Sequence, residues 1–266
     1  VIVEHNAGIA SQFSDKDYAE VGAQIAYSTQ DVYSRSDIIV KIAPLTLQEL
    51  SYLQPKQILI SAVHLGSIQP DYIRTLLNKN ITAIGFEFMQ AEDGSIPIMR
   101  MISEIAGITS IHIAAELLSG PSSKGVLLGG ITGVPPAIVT VIGAGSVGLH
   151  ASKTALGLGA MVKVIDEEIH KLRRLEEILG RKVYTAVAQQ DYIAEAVSTA
   201  DVVIGAIYKK GMRTPCVVTE EMVASMREGS VIVDVAIDQG GCIETSEVTN
   251  HDSPIFVKHG VIHYCV

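Results

Sequence analysis

The sequence predicts an α/β protein of two domains, on three observations. Strand-like apolar runs alternate with helix-like runs along all 266 residues. Residues 142–148 read I-G-A-G-S-V-G, a G-x-G-x-x-G directly behind the apolar run 138–141 and ahead of a helix-like segment, 149–158. A second β-like run, 161–165, then ends in Asp166, 23 positions after Gly143. Strand, glycine turn, helix, strand and terminal acid together describe one half of a doubly wound parallel sheet of the Rossmann type.

Each part of that unit has a physical task. Gly143 permits the tight strand-to-helix turn, Gly145 lets the backbone approach a pyrophosphate, and Gly148 lets the helix pack close to the sheet. Ala144, Ser146 and Val147 complete the turn, whose free N–H groups at a helix start favour negative charge. A carboxylate at Asp166 accepts hydrogen bonds from both ribose hydroxyls and repels a 2′-phosphate, so NAD is preferred over NADP. The same glycines alone would equally suit a turn that binds nothing; the flanking elements and the acid favour the dinucleotide.

In the first part of the chain, candidate strands are 38–42, 57–62 and 81–86, with helices near 15–22, 46–52, 68–78 and a longer one over 101–118. The segments 120–125 (G-P-S-S-K-G) and 133–136 (G-V-P-P) then interrupt the pattern. The boundary is placed there: residues 1–124 form a truncated substrate domain and 125–266 the dinucleotide-binding domain. In the second part, candidate strands are 138–142, 161–165, 183–187, 202–207, 230–235 and 261–265, with helices near 146–158, 168–179, 190–199 and 219–227. Ligands of such sheets bind outside the carboxyl ends of the strands, which directs attention to Asp166, Ala206, Ile207, Val235, Asp238 and Val266.

Composition sets further bounds. The chain is 48% hydrophobic and carries a net charge of −9 with acids and bases interspersed, so it lacks the basic face of a nucleic-acid binder. Cys216, Cys242 and Cys265 are odd in number and lack metal-ligand spacing, which argues against zinc or a disulfide framework and for reduced thiols in the cytoplasm. No apolar run is expected to reach membrane-spanning length, and no signal peptide is read. Both ends, in strand-like runs at 1–3 and 261–265, read as falling inside a fold.

Several stretches resemble the alanine dehydrogenase family and its relative, the NAD-binding subunit of proton-pumping transhydrogenase. They are V-H-L at 63–65, M-I-S-E-I-A-G at 101–107, G-G-I-T-G-V-P-P at 129–136, the glycine fingerprint, D-V-A-I-D-Q-G-G-C at 234–242 and H-Y-C-V at 263–266. The resemblance spans essentially the whole chain. It implies NAD-dependent interconversion of a small L-amino acid with its 2-oxo acid and ammonia, in a cleft between two domains.

The resemblance also implies site residues. His64 matches the active-site histidine, which polarises the carbonyl or exchanges a proton during imine hydrolysis; an imidazole titrates near working pH and suits either task. Asp238 matches an aspartate that acts as general base or binds the incoming ammonia or water; read alone, it is a turn residue before two glycines. Asp166 matches the ribose acid, Lys171 a lysine at the adenosine end, and Ser103 a serine on the cofactor side. Lys171 also lies in a run of charges that reads as an exposed helix face. Main-chain groups of Ile207 and Val235 are implied near the nicotinamide. Asp234 reads as structural.

One departure stands out. The family's K-V-K-E-P-like segment is Lys41-Ile42-Ala43-Pro44 here, with Ala43 in the place of the substrate-holding lysine. On an extended strand Lys41 would share a side with Ala43, about 6–7 Å back. It reads either as a partial substitute or as a strand-end cation without catalytic consequence. Three functions follow: an amino-acid dehydrogenase, a noncatalytic NAD-binding regulatory module favoured by Ala43, and a transhydrogenase-type NAD-binding subunit. A homo-oligomer, dimer or hexamer, is expected by analogy with the family.

Overall fold

The computed structural model describes residues 1–65, 68–92, 94–120 and 123–266. Pro121 and Ser122 of the expected break at 120–125 lie outside them. The chain forms two compact units, Val1–Ile98 and Met99–Val266.

The first unit holds β1 (Ile2–Glu4), α1 (Asp15–Glu20), β2 (Gln24–Ala26), α2 (Thr29–Arg35), β3 (Ile38–Val40), α3 (Leu47–Tyr52), β4 (Ile58–Ser61), α4 (Pro70–Asn78) and β5 (Thr82–Gly85). Its helices begin where the sequence supplies caps. Ser14 and Thr46 each form a capping box with the acid three residues on, Asp17 and Glu49, and Ser28 accepts from Asp31 N. Pro70 occupies the first turn of α4, where its missing N–H costs nothing. The strands pair in parallel as β1-β2 and β3-β4-β5. Leu50, Leu53, Leu59, Tyr72 and Leu76 form the core between α3, β4 and α4. β2 and α2 were not anticipated; both are short, and Ser28 with Asp31 was the available signal for α2.

The second unit contains α5 (Pro97–Ser119, from Met99 on), β6 (Ile138–Ile142), α6 (Ser146–Gly157), β7 (Met161–Asp166), α7 (Ile169–Leu179), β8 (Tyr184–Val187), α8 (Gln190–Ser198), β9 (Val202–Gly205), α9 (Glu220–Ala224), β10 (Val231–Asp234), β11 (Ile255–Lys258) and β12 (Val261–Tyr264). The strand order is β11-β12-β10-β9-β6-β7-β8, parallel except for β11. β11 escaped the sequence reading because its hairpin turns through His259 and Gly260, both at positive φ, rather than through an Asn-Gly signal.

Alternation along the strands builds two apolar layers. Val139, Val141, Val164, Val202, Ile204 and Val231 pack with Ile111 of α5, Ala151 and Ala155 of α6, and Leu175 of α7. Ile142, Ile165, Val203 and Ile232 point the other way, onto Ile193 and Val197 of α8 and Val223 of α9. The central strands are buried on both faces, so they read as continuous Val/Ile runs. Each such side chain contributes ~1.5–3 kcal/mol through burial.

Helix α5 corrects one expectation. With 23 residues and few charges it is long and apolar enough to cross a membrane by length and composition. Its buried residues, Gly107, Ser110, Ile111, Ala114 and Leu118, pack one face of it onto the second unit, while Met101, Ile102, Ile105 and Ile108 stay exposed. A Cβ on Gly107 would lie 2.4 Å from the Val147 carbonyl oxygen, so glycine in the M-I-S-E-I-A-G stretch lets α5 lie directly on the first turn of α6.

Candidate cofactor and substrate sites

In the second unit the chain leaves β6 toward β7 on one side and returns to β9 on the other. β6 and β9 are therefore the point where the strand order reverses, and the crevice outside their carboxyl ends is the expected ligand site. Residues 143–148 lie there. Gly143 has φ +113°, and a Cβ on it would meet the Ala206 carbonyl oxygen at 2.5 Å. A Cβ on Gly148 would meet the Gly143 oxygen at 1.8 Å. Gly145 is different: a Cβ there faces open space, with nothing within 4 Å. It also starts α6 without a side-chain hydrogen bond to the first turn. Two glycines thus close the turn on the protein, and the third leaves its front clear for an anion.

Asp166 ends β7 and is almost fully buried. Its Oδ2 accepts from Ala144 N at 2.7 Å and its Oδ1 from Glu168 N at 2.8 Å. The acid is therefore tied to the glycine turn, with lone pairs left on each oxygen for ribose hydroxyls. Lys171 lies on the first turn of α7, half-buried, and donates to Glu168 Oε1 at 2.5 Å. The hydrogen bond from Lys171 holds the Glu168 carboxyl below the usual range. Lys209, after β9, pairs with Glu167, after β7, joining segments on either side of β6.

Ile207 lies two residues past the end of β9, and Val235 and Asp238 lie in a 3-10 turn after β10 (Val235–Gln239). Asp238 is exposed. Gly240 and Gly241 follow at φ +98° and +74°, and the Asp-Gln-Gly-Gly-Cys run folds back so that Cys242 N donates to Asp234 Oδ2 at 3.0 Å. Asp234 also accepts from Ala236 N and Ser246 Oγ, a structural hub under the turn. Burial raises its pKa against those hydrogen bonds. Ser103 is half-buried one helical turn before Gly107, on the face that meets α6. The sequence reading missed Thr214 and Gln239 in this region. Thr214 N donates to the Gln239 carbonyl at 2.9 Å, and Thr214 Oγ1 and Gln239 Oε1 are both buried without a hydrogen-bond partner.

In the first unit His64 follows β4 with φ +49°. Glu87, in a 3-10 turn after β5 (Phe86–Phe88), accepts from Val63 N at 2.9 Å and His64 N at 2.7 Å with one oxygen, Oε1. Nothing in its local pattern marked Glu87, whose partners lie 23 and 24 residues away. Lys41 is not available to stand in for a lysine at Ala43. β3 ends at Val40, and Lys41 Nζ donates to both Glu49 oxygens, at 2.5 and 2.6 Å. Burial raises the Glu49 pKa, but the hydrogen bonds from Lys41 and Thr46 outweigh it and hold the carboxyl below its ordinary value. Among the described residues no cluster of metal-ligating side chains occurs, and the three cysteines are free.

Comparison with known proteins places the family. The alanine dehydrogenase/PNT N-terminal domain model matches residues 1–106, and the C-terminal domain model matches 110–266. An alanine dehydrogenase of Methanococcus maripaludis is 42% identical over the whole chain and 72% of its own length; one of Staphylococcus epidermidis is 40% identical over the same shares. The solved structure of an L-alanine dehydrogenase superposes with a TM-score of 0.88 at 39% identity, covering the whole chain and 73% of that protein. A transhydrogenase from Sinorhizobium meliloti follows at 0.81 and 27%, covering the whole chain and 76% of that protein. The chain belongs to the alanine dehydrogenase/PNT family, as an NAD-dependent oxidoreductase of the alanine dehydrogenase type.

Proposed function

We propose that the chain oxidises L-alanine, or a similarly small L-amino acid, to its 2-oxo acid and ammonia, reversibly, with NAD as the hydride acceptor. Residues 143–148 hold the diphosphate, Asp166 the ribose hydroxyls, and Lys171 the adenosine end. Ser103 and the main chain of Ile207 and Val235 serve the nicotinamide end. The observation that carries this assignment is the open front of Gly145 at an uncapped helix start, tied through Ala144 to a buried acid.

When bound, NAD supplies the redox chemistry; the protein supplies orientation and proton handling. His64 donates a hydrogen bond to the substrate carbonyl, or exchanges a proton with it as the imine is hydrolysed. Asp238 accepts a proton from the attacking water or holds the ammonia. Residues 1–124 make up the substrate-domain portion and 125–266 the NAD-binding domain, with α5 packed onto the latter. Free thiols support the cytoplasm as location. The exposed apolar stripe Met101, Ile102, Ile105 and Ile108 on α5 supports a homo-oligomer, a dimer or hexamer.

The test is NADH formation with a panel of L-amino acids. Saturable turnover with L-alanine is the expected result. A second reading, a noncatalytic NAD-responsive module, is favoured by Ala43 together with the commitment of Lys41 to Glu49. Saturable NAD binding without turnover on any amino acid establishes it instead.

A further inference from the structure

We propose that Glu87 is a positioning residue that holds His64 in the conformation its chemistry requires. A single carboxylate oxygen collects two successive backbone N–H groups, those of Val63 and His64, at 2.9 and 2.7 Å. Convergent neighbouring amides of this kind make a small anion-binding concavity in the backbone. Here the anion comes from the protein itself, supplied by the turn after β5 to the loop after β4, the strand beside it.

His64 needs such a clamp. Its φ of +49° lies in the left-handed region, which residues with a Cβ populate sparsely. A residue keeps that conformation only when its surroundings enforce it, and such residues concentrate at functional sites. The loop's own bonds supply one constraint, Ile68 N to the His64 carbonyl at 3.1 Å. Glu87 supplies another, and it does so from within the unit, being only 6% exposed. Released from Glu87, His64 relaxes toward the right-handed or extended regions, and its side chain swings with the backbone.

The second oxygen makes the device more than a packing contact. Oε2 is buried without a hydrogen-bond partner. It is aimed back at Gly85, where a Cβ would lie 2.9 Å from it and 3.0 Å from Phe88 Cδ2. Gly85 has an ordinary extended φ of −80°, so alanine is acceptable there on backbone grounds. Only the carboxylate and the Phe88 ring object to it. A buried oxygen left without a partner costs stability, so Glu87 is kept there for the two N–H groups its other oxygen holds.

The proposal rests on His64 acting in the reaction, and the experiment separates the two. With the intact chain, kcat and KM for L-alanine oxidation are measured per NAD-binding site for His64→Asn, Glu87→Ala, Glu87→Gln and Gly85→Ala. His64→Asn is expected to lower kcat at least a hundredfold. Glu87→Ala lowers kcat ten- to a hundredfold, with KM changed less than threefold and NAD affinity unchanged. Glu87→Gln, which retains an acceptor oxygen for both N–H groups, stays within about threefold of wild type, and Gly85→Ala falls between. If His64→Asn retains full activity, the role of His64 fails. If His64→Asn is inactive while Glu87→Ala keeps the wild-type kcat per NAD site, the positioning role of Glu87 is overturned even where its melting midpoint drops.

Discussion

The carboxylate of Asp166 receives the amide hydrogen of Ala144 at 2.7 Å, so the acid at the end of β7 and the glycine turn after β6 form one rigid piece. Its other oxygen is fixed by Glu168 N. The residue proposed to bind the cofactor's ribose is thereby also a strut of the glycine turn.

Asp166→Ala removes both functions. Charge-assisted hydrogen bonds contribute about 1.5–3 kcal/mol, so NAD affinity should fall roughly ten- to a hundredfold. NADP affinity should fall less, because the repulsive charge facing a 2′-phosphate is lost as well. Calorimetric titration of both nucleotides checks this. An unchanged NAD to NADP ratio contradicts it.

Gly148→Ala places a methyl group 1.8 Å from the Gly143 oxygen, and neither backbone can move without disturbing the β6–α6 turn. Overpacking of that kind costs about 1–3 kcal/mol or more. The melting midpoint should drop by several degrees, with a comparable loss for Gly107→Ala at the contact of α5 with α6. Midpoints equal to wild type would show that the helices can separate freely.

Ala43→Lys tests the departure from the family pattern. A restored ammonium that bonds the substrate in the transition state adds about 1.5–3 kcal/mol, or roughly a ten- to hundredfold gain in kcat/KM for L-alanine. Lys41→Met, in contrast, should leave kcat/KM nearly unchanged, since Lys41 is spent on Glu49. Steady-state kinetics decides between them: a large loss in Lys41→Met with no gain in Ala43→Lys would make Lys41 the substrate's partner.

His263 gives a pH dependence to stability. It is fully buried on β12, with Nδ1 against the Val261 carbonyl at 2.9 Å and Nε2 against Thr245 Oγ1 at 2.8 Å. Burial lowers its pKa from 6.5, opposed by the Val261 carbonyl and assisted by nearby Lys258 and His259. The folded state therefore binds fewer protons than the unfolded state just below pH 6.5. Stability from this group is complete above that value and is lost as pH falls toward the folded pKa. Melting curves at pH 7.5 and 5.5 should show the drop, and His263→Asn should reduce it while melting lower at pH 7.5. An equal drop in the variant would assign the effect to other groups.

The sheet of the second unit was legible because buried parallel strands are written as uninterrupted Val/Ile runs; β6 was read at its full span and β7 to within one residue. The glycine turn was legible because Gly143 and Gly148 each face backbone that leaves no room for a Cβ, while Gly145 between them faces open space. What escaped was tertiary. The hydrogen bonds of Glu87 join segments 23 and 24 residues apart, and no local pattern announces such a pair. Lys41 and Ala43 looked like neighbours on one strand face, but β3 stops at Val40 and the capping box of α3 captures Lys41 through Glu49. The helix read over 101–118 runs from Pro97 to Ser119, extended mainly at its N-terminus, where proline takes the first position.

The most direct measurement is a calorimetric NAD titration of wild type beside Gly145→Val, with melting curves of both. A Cβ on Gly145 meets nothing within 4 Å, so a side chain there obstructs the approach of the diphosphate at the cost only of a weaker N-cap for α6. Saturable binding by wild type and its loss in Gly145→Val, with melting midpoints within a few degrees, is the predicted result. Equal affinity in the two proteins, or no binding by wild type, would contradict the placement of NAD on this turn.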